Sequence, residues 1–242
     1  MKATITGSHG FIGSNLNELL IKNGWETYSM LRPDVDYVFL FGSPSSDHWF
    51  QNALGYSLRE TIDNFISACE YCKEHKIKLI YPSSGVVYEG KTPYARCKQA
   101  LDTISKIYDN VLGLRIFAGY GVGEEHKGEY ASIVYKFCKD MKQGKRPVIW
   151  GDGNQTRNFM YIDDITKTIL CYKDEKGFFD IGTSLSYSFN EIVKIINVQL
   201  GTNIEPIYIE RPDIYITETV CPHPVAHTVS IEDGIDRILR SI

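Results

Sequence analysis

The chain opens with Thr6-Gly7-Ser8-His9-Gly10-Phe11-Ile12-Gly13, a GxxGxxG set between a strand-like run, Lys2 to Thr6, and a helical pattern. Glycines without side chains let backbone amides and a helix N-terminus approach a pyrophosphate, where the positive end of the helix dipole favours negative charge. Glycine turns also arise from packing alone, so it is the strand-turn-helix setting that points to a dinucleotide. Gly7, Gly10, Phe11, Ile12 and Gly13 are the expected cofactor contacts. A second grouping is Tyr94 and Lys98, four apart at the start of a helix and therefore on one face of it. Ser84 ends the preceding strand, and ligands in such sheets sit beyond the carboxyl ends of strands. A phenol with an ordinary pKa of about 10 is a poor base at neutral pH, but a neighbouring ammonium and an oxidised nicotinamide would favour its phenolate. Tyr94 is expected to remove or return a hydroxyl proton, with Ser84 and Lys98 converging on it.

Alternating strands and helices must position these groups. After Lys2 to Thr6 comes a helix carrying Phe11, Ile12, Leu16, Leu19 and Leu20 at helical spacing. Strands are predicted at Glu26 to Leu31 and Asp36 to Phe41, the second ending at the small residues Gly42 and Ser43. Phe41, Gly42 and Ser43 join the expected cofactor contacts. A helix over Leu58 to His75 with Ile62, Phe65, Ile66, Cys69 and Cys72 on one face leads to a strand at Lys78 to Tyr81. The helix from Tyr94 turns Leu101, Ile104 and Ile107 inward before a strand at Val111 to Phe117. This alternation implies an α/β fold, a doubly wound parallel sheet with helices on both faces. From about Gly119 the pattern loosens into loops, with helices at Tyr130 to Gln143, Ile162 to Cys171, Phe189 to Leu200 and from Ile231 onward. Strands are expected at Pro147 to Trp150, Gly177 to Ile181 and Ile204 to Ile209, and this half is expected to hold no separate large core.

Composition narrows the function further. With 242 residues, 43% of them hydrophobic, the chain can bury a substantial core. A formal net charge of -4 and scattered lysines give no reason to bind nucleic acid or an anionic membrane, and no run approaches the roughly 20 apolar residues of a membrane span. The strand-like start leaves no room for a signal segment, and six widely spaced cysteines read as reduced thiols in a cytoplasmic protein. Cys69 and Cys72 form a CxxC inside an apolar helical pattern with no second pair, and Pro222 and Pro224 keep His223 and His227 off a regular helix. No metal site is expected.

Several segments carry a resemblance. Ser83-Ser84-Gly85-Val86-Val87-Tyr88 is similar to the SSxxVYG-like strand end of the extended short-chain dehydrogenase/reductases that modify nucleotide sugars, the NAD-dependent epimerase/dehydratase family. Arg115-Ile116-Phe117-Ala118-Gly119-Tyr120-Gly121 resembles its RxFNxYG, and Gly151-Asp152-Gly153-Asn154-Gln155-Thr156-Arg157-Asn158-Phe159 its GDGxQxRDF. Tyr161-Ile162-Asp163-Asp164-Ile165 resembles its YVDD helix start, where Asp163 or Asp164 is expected to cap the helix. Phe179-Asp180-Ile181-Gly182 resembles FNIG and Arg211-Pro212-Asp213 a late RPGD, so the likeness runs from Lys2 to the final helix.

The resemblance implies a Rossmann-like domain over 1–118 plus parts of 150–182, and a small substrate-binding subdomain mainly over 119–149 and 183–242. It implies NAD or NADP as cofactor and a nucleotide sugar as substrate. Tyr94 would be acid and base, Lys98 would hold the nicotinamide ribose and tune the tyrosine, and Ser84 would hydrogen-bond the reacting sugar oxygen. Arg157 and Arg211 would take the substrate diphosphate. Relatives dimerise through two helices, here Leu58 to His75 and Tyr94 to Tyr108, whose apolar residues could equally be core; a homodimer is expected.

Departures from the pattern carry their own expectations. Only Arg32 to Val35 separate the second strand from the next, so the sheet should lack one edge strand and open the adenine side of the cofactor site. The acidic residue that often holds the adenosine ribose is replaced by Leu31, and Arg32 beside it favours the 2'-phosphate of NADP, unless Arg32-Pro33-Asp34 belongs to the following lead-in. Gly85 and Val86 stand where dehydratases carry Asp-Glu, Ala118 replaces a substrate-contacting asparagine, and the segment between Ser84 and Tyr94 is short. Epimerisation of a nucleotide sugar through a transient keto intermediate is the leading expectation. NADPH-dependent reduction of a keto sugar nucleotide and a non-catalytic NAD(P)-binding protein are its rivals.

Overall fold

The computed structural model describes residues 1–212 and 215–242; Asp213 of the RPGD-like element lies outside the described residues. In chain order the elements are β1 (Lys2–Thr6), α1 (Phe11–Lys22), β2 (Glu26–Tyr28), β3 (Tyr37–Leu40), α2 (Asp47–Asn52), α3 (Leu54–Glu74), β4 (Lys78–Ser84), α4 (Pro93–Ser105) and β5 (Val111–Ile116). They continue with β6 (Ala118–Tyr120), α5 (Ile133–Lys142), β7 (Val148–Trp150), β8 (Thr156–Arg157), β9 (Phe159–Tyr161), α6 (Ile162–Tyr172) and β10 (Gly177–Ile181). The last are β11 (Tyr187–Ser188), α7 (Phe189–Leu200), β12 (Ile207–Ile209) and α8 (Ile231–Ser241). Two compact units result, one from Met1–Ile116 with Thr166–Asp180, the other from Phe117–Ile165 with Ile181–Ile242. Among the described residues no helix is long and apolar enough to cross a membrane.

The first unit is organised by the main sheet, which among the described residues has six strands in the order β10-β5-β4-β3-β1-β2. Pairs β1 with β2, β1 with β3, β3 with β4 and β4 with β5 are all parallel. The apolar runs Ala3 to Ile5, Val38 to Phe39 and Leu79 to Tyr81 are buried, as strands covered on both faces must be. Phe65, Cys69 and Cys72 of α3 and Leu101 of α4 pack on Val38, Leu79 and Tyr81, so these helix residues are core of their own chain. Burial pushes both thiols of the CxxC up to about 12, which keeps them protonated. Ile66, expected on the same face, is 38% exposed at its margin, and Ile107 is 75% exposed because α4 stops at Ser105. The short helix α2 was not foreseen; six residues give too little periodicity to detect.

The sheet ends at β2, as the short spacer to β3 foretells. β2 also stops three residues earlier than expected, and Met30 and Leu31 leave the ladder exposed. Because β1 lies between β2 and β3, the chain must return across β1 within 29–36. It does so as a strap fastened by side chains: Thr4 donates through Oγ1 to the Met30 carbonyl at 3.0 Å, and Lys2 Nζ reaches Asp34 at 3.2 Å. The Lys2 amide donates to Asp36 Oδ2 at 2.8 Å. Arg32 grips Asp34 through two hydrogen bonds of 2.8 and 3.2 Å and stacks on the Tyr28 ring.

The second unit corrects the expectation of no separate core. Phe137, Cys138 and Met141 of α5, Ile192 and Ile196 of α7, and Ile235 and Ile238 of α8 are all buried. Short strands pair as β6 with β9, β7 with β12 and β8 with β11. Four of these six, β6, β8, β9 and β11, escape the sequence reading because two or three residues cannot display a period of two. Asp164, in the first turn of α6, does more than suit that helix end: its carboxylate accepts from the amides of Thr228 and Val229 at 2.9 Å each and from the Thr228 hydroxyl at 2.7 Å. Asp163 pairs with Arg237 at 3.0 Å.

One packing contact in this unit is decided by an absent methyl group. Gly234 sits inside α8 where glycine weakens a helix, yet a Cβ there would come within 2.2 Å of the Tyr120 hydroxyl. Tyr120 is itself buried and donates to the Ser230 carbonyl at 3.3 Å. Gly234→Ala should therefore lower stability by about 1–3 kcal/mol despite its better helix propensity, read as a reduced urea midpoint; an unchanged or raised midpoint would show that Tyr120 yields freely.

Candidate active site

The glycine turn of the first unit sits where the sheet reverses direction. From β1 the chain proceeds outward to β2, then returns to β3 on the other side of β1, which is the crevice where open α/β sheets take ligands. Gly7 has φ +70°, a left-handed conformation natural to glycine, and a Cβ on it would lie 2.7 Å from the Gly42 Cα. A Cβ on Gly13 would stand 2.2 Å from the Gly7 carbonyl oxygen. Helix α1 starts at Phe11 behind Gly10, which supplies no side-chain cap, and its first turn, with Ile12 and Gly13, carries no acid. An uncapped helix start beside two strand ends brought together by glycines fits the pyrophosphate of a dinucleotide. Phe41, Gly42 and Ser43 line the β3 side of this approach, with the Ser43 amide turned back to the Phe41 carbonyl at 3.2 Å.

Ser84, Tyr94 and Lys98 lie together. Thr92 caps α4 by accepting from the Ala95 amide at 3.1 Å, and Pro93 occupies its first position, which fixes the start of the helix that carries Tyr94 and Lys98. The Ser84 side chain is close enough to the Tyr94 phenol to favour its ionised form. Lys98 Nζ stands 5.7 Å from the centre of the Tyr94 ring and donates to the Pro82 carbonyl at 2.9 Å. All three residues are buried. Phe50 of α2 meets Tyr94 edge-on at 5.4 Å, so the unforeseen helix forms one wall of the site.

The lysine's position follows from strand chemistry. In β4 the amide of Lys78 bonds toward β3 and that of Leu79 toward β5, so even-numbered residues turn to β3. The β3 ladder ends at the Phe39 and Ile80 pair, leaving the β3 side of residue 82 open. A proline there has no amide hydrogen to leave unpaired, and its remaining carbonyl is taken by Lys98. The ammonium thus occupies the notch where β3 and β4 part.

Electrostatics differ from the sequence expectation at the tyrosine. Burial raises the Tyr94 phenol above its ordinary range and outweighs the lowering by Ser84, while Asp47 and Cys97 raise it further. The resting residue is a neutral phenol. Burial also pushes Lys98 down to about 8, against Cys97 and Asp102, which favour the ammonium. Taking a lysine from 10.5 to about 8 disfavours its charged form by about 3 kcal/mol. Beyond Lys98 runs a network the motif reading missed: Arg115 Nε holds Asp102 at 3.0 Å, and the Tyr81 hydroxyl donates to the same carboxylate at 2.8 Å. Arg115 also donates to the Tyr88 hydroxyl at 2.8 Å, and Tyr88 donates to Asp180 at 2.9 Å. Helical spacing of four from Lys98 is the sequence signal that points to Asp102.

The remaining expected residues sit elsewhere. Arg32 is in the strap, bound to Asp34. Arg157 and Arg211 belong to the second unit. The Arg157 guanidinium donates to the carbonyls of Thr156 at 2.7 Å and Ile216 at 2.5 Å and lies over the Phe189 and Tyr215 rings. Arg211 lines a cavity of about 540 Å³ whose walls include Trp150, Gln155, Tyr215 and Glu218.

Comparison with known proteins agrees with this architecture. A Methanocaldococcus jannaschii protein provisionally named a UDP-glucose 4-epimerase is 26% identical over 299 aligned positions, covering 98% of this chain and 96% of that protein. The crystal structure of UDP-glucose 4-epimerase with UDP-glucose from Thermotoga maritima superposes with a TM-score of 0.89 at 22% identity, covering 100% of this chain and 98% of that one. UDP-N-acetylglucosamine 4-epimerase from Methanobrevibacter ruminantium M1, in complex with UDP-N-acetylmuramic acid, gives 0.90 at 21% identity over 99% and 97% of the two chains. Likeness at that identity shows the fold, whereas the family profile matches residues 29–182, well over half of the sequence: the chain belongs to the NAD dependent epimerase/dehydratase family.

Proposed function

We propose that this protein epimerises a nucleotide sugar through a transient keto intermediate. The observation that carries the reading is the buried contact of Ser84 with Tyr94, beside Lys98, at the end of β4, two strands from the glycine turn of β1. Neighbouring strands are about 4.8 Å apart, so the two features lie within the reach of one dinucleotide. Gly7, Gly10, Phe11, Ile12, Gly13, Phe41, Gly42 and Ser43 would hold that cofactor, which when bound takes up and returns a hydride. NAD fits better than NADP, since the Arg32 guanidinium that would favour a 2'-phosphate is already paired with Asp34.

In the first half-reaction Tyr94, ionised once the charges of Lys98 and an oxidised nicotinamide favour its phenolate, would accept the proton of a sugar hydroxyl as the carbon beneath gives up a hydride, and a carbonyl would result. Ser84 holds the oxygen throughout. In the second half-reaction Tyr94 returns the proton while hydride reaches the opposite face. Lys98 stabilises negative charge on Tyr94, which the apolar surroundings oppose. Arg157 and Arg211 are the proposed diphosphate contacts, and a homodimer is the proposed assembly. One observation favours net reduction of a keto sugar as a second reading: the resting phenol is protonated and ready to donate.

The deciding experiment incubates the protein with NAD and UDP-glucose, then with UDP-N-acetylglucosamine, and follows the sugar by proton NMR. Epimer formation without net cofactor change supports the reading, and in a parallel incubation of a keto sugar nucleotide with NADH or NADPH, stoichiometric consumption of the reduced cofactor supports the second. No conversion of any nucleotide sugar by a protein that binds NAD overturns both. Tyr94→Phe should reduce kcat by about 10²- to 10⁴-fold and leave the NAD Kd unchanged, measured by calorimetry. Gly13→Ala should weaken NAD at least about tenfold, because the added carbon displaces the turn. Turnover should also fall as pH rises through about 8, where Lys98 loses its proton; a rate that stays flat to pH 10 would remove the ammonium from the mechanism.

A further inference from the structure

Lys98 is a buried cation whose visible hydrogen bond goes to an uncharged acceptor, the Pro82 carbonyl. Such a group needs a counter-charge nearby or it gives up its proton. Tyr94, Lys98 and Asp102 follow one another at intervals of four on α4 and so share one face of the helix. Asp102 is buried, and it is fixed from two sides by Arg115 Nε at 3.0 Å and the Tyr81 hydroxyl at 2.8 Å. Gly113 of β5 makes room for this arrangement, since a Cβ there would stand 2.9 Å from the Tyr81 hydroxyl.

We propose that Asp102 is a positioning residue for the reaction: its carboxylate, one helical turn along α4 from Lys98, is the standing counter-charge that keeps Lys98 an ammonium in the site. The proposal rests on the role given to Lys98 above. The groups around Lys98 support it element by element. On α4 itself are Tyr94, a neutral phenol at rest, and Cys97, whose thiol burial pushes up and so keeps uncharged at neutral pH. From β4 come Tyr81, Ser83 and Ser84, of which Tyr81 is kept protonated by burial. From α3 come Cys69 and Cys72, both protonated. Asp47 of α2 acts on Tyr94, and Tyr88 is tied to Arg115 and Asp180. Arg115 of β5 is a second cation, paired with Asp102 and lying against the Phe178 and Tyr88 rings. Cys97 and then Asp102 favour the charged form of Lys98, and of these two Asp102 is the carboxylate.

The test needs neither substrate nor turnover. Protein labelled with 13C-lysine is titrated by NMR in the absence of nucleotide, and Lys98→Arg identifies the Lys98 Cε resonance by its loss. Wild type should titrate near 8. Asp102→Asn should move the midpoint down by about one pH unit or more, and Asp102→Glu should restore it. Arg115→Gln breaks the same ion pair but leaves the carboxylate, so Lys98 should titrate at or above the wild-type midpoint. This variant keeps the proposal testable if Asp102→Asn does not fold. An unchanged midpoint in Asp102→Asn, or a lowered one in Arg115→Gln, would overturn the assignment and leave Asp102 as part of the framework. Because the readout is the titration of one amine, its failure is distinct from a failure to find epimerase activity.

Discussion

A single ammonium, buried where two parallel strands separate, sets the terms for the first unit. It can sit there because β3 turns away after Leu40, because Pro82 presents a carbonyl with no amide beside it, and because α4 begins at a fixed point. Moving any one of these would leave a charge in an apolar notch or an unpaired carbonyl in a sheet, each costing about 1–3 kcal/mol or more. The tyrosine depends on the same arrangement. Burial makes its phenolate costly, so the proton it handles is controlled by charges brought within a few ångströms and not by bulk solvent.

In the second unit, buried carboxylates organise loops in a similar spirit. Glu124 is fully buried and accepts from the Gly121 amide, the Ser132 amide and hydroxyl, and Lys127. Asp164 ties down 228–229 in the same way. Irregular backbone under cover requires such acceptors, because its amides find no ladder to join.

Most of the main sheet was legible because long apolar runs and helical periods are strong signals. The glycine turn and the pair Tyr94 and Lys98 were legible because close backbone approach and shared helix faces leave marks at fixed spacings. What escaped was set by tertiary packing. Tyr94's neutrality comes from Phe50 and the rest of its enclosure, which no local pattern reveals. The link between Asp102 and Arg115 joins a helix to a strand 13 residues on, and only the fold brings them together. The core of the second unit was hidden because four of its six short strands show no period, and its helices contribute a few buried residues each.

The strap over 29–36 bears on how the molecule avoids its own kind. A sheet border is a row of unsatisfied amides and carbonyls on which a foreign strand can grow, and long, flat, apolar borders invite fibrillar association. Here the border strand β2 is three residues long, and Glu26, with Lys2 3.8 Å away, puts charge at its start. By shortening the return path, the chain also removed the extended template that a longer outer strand would have offered to neighbours.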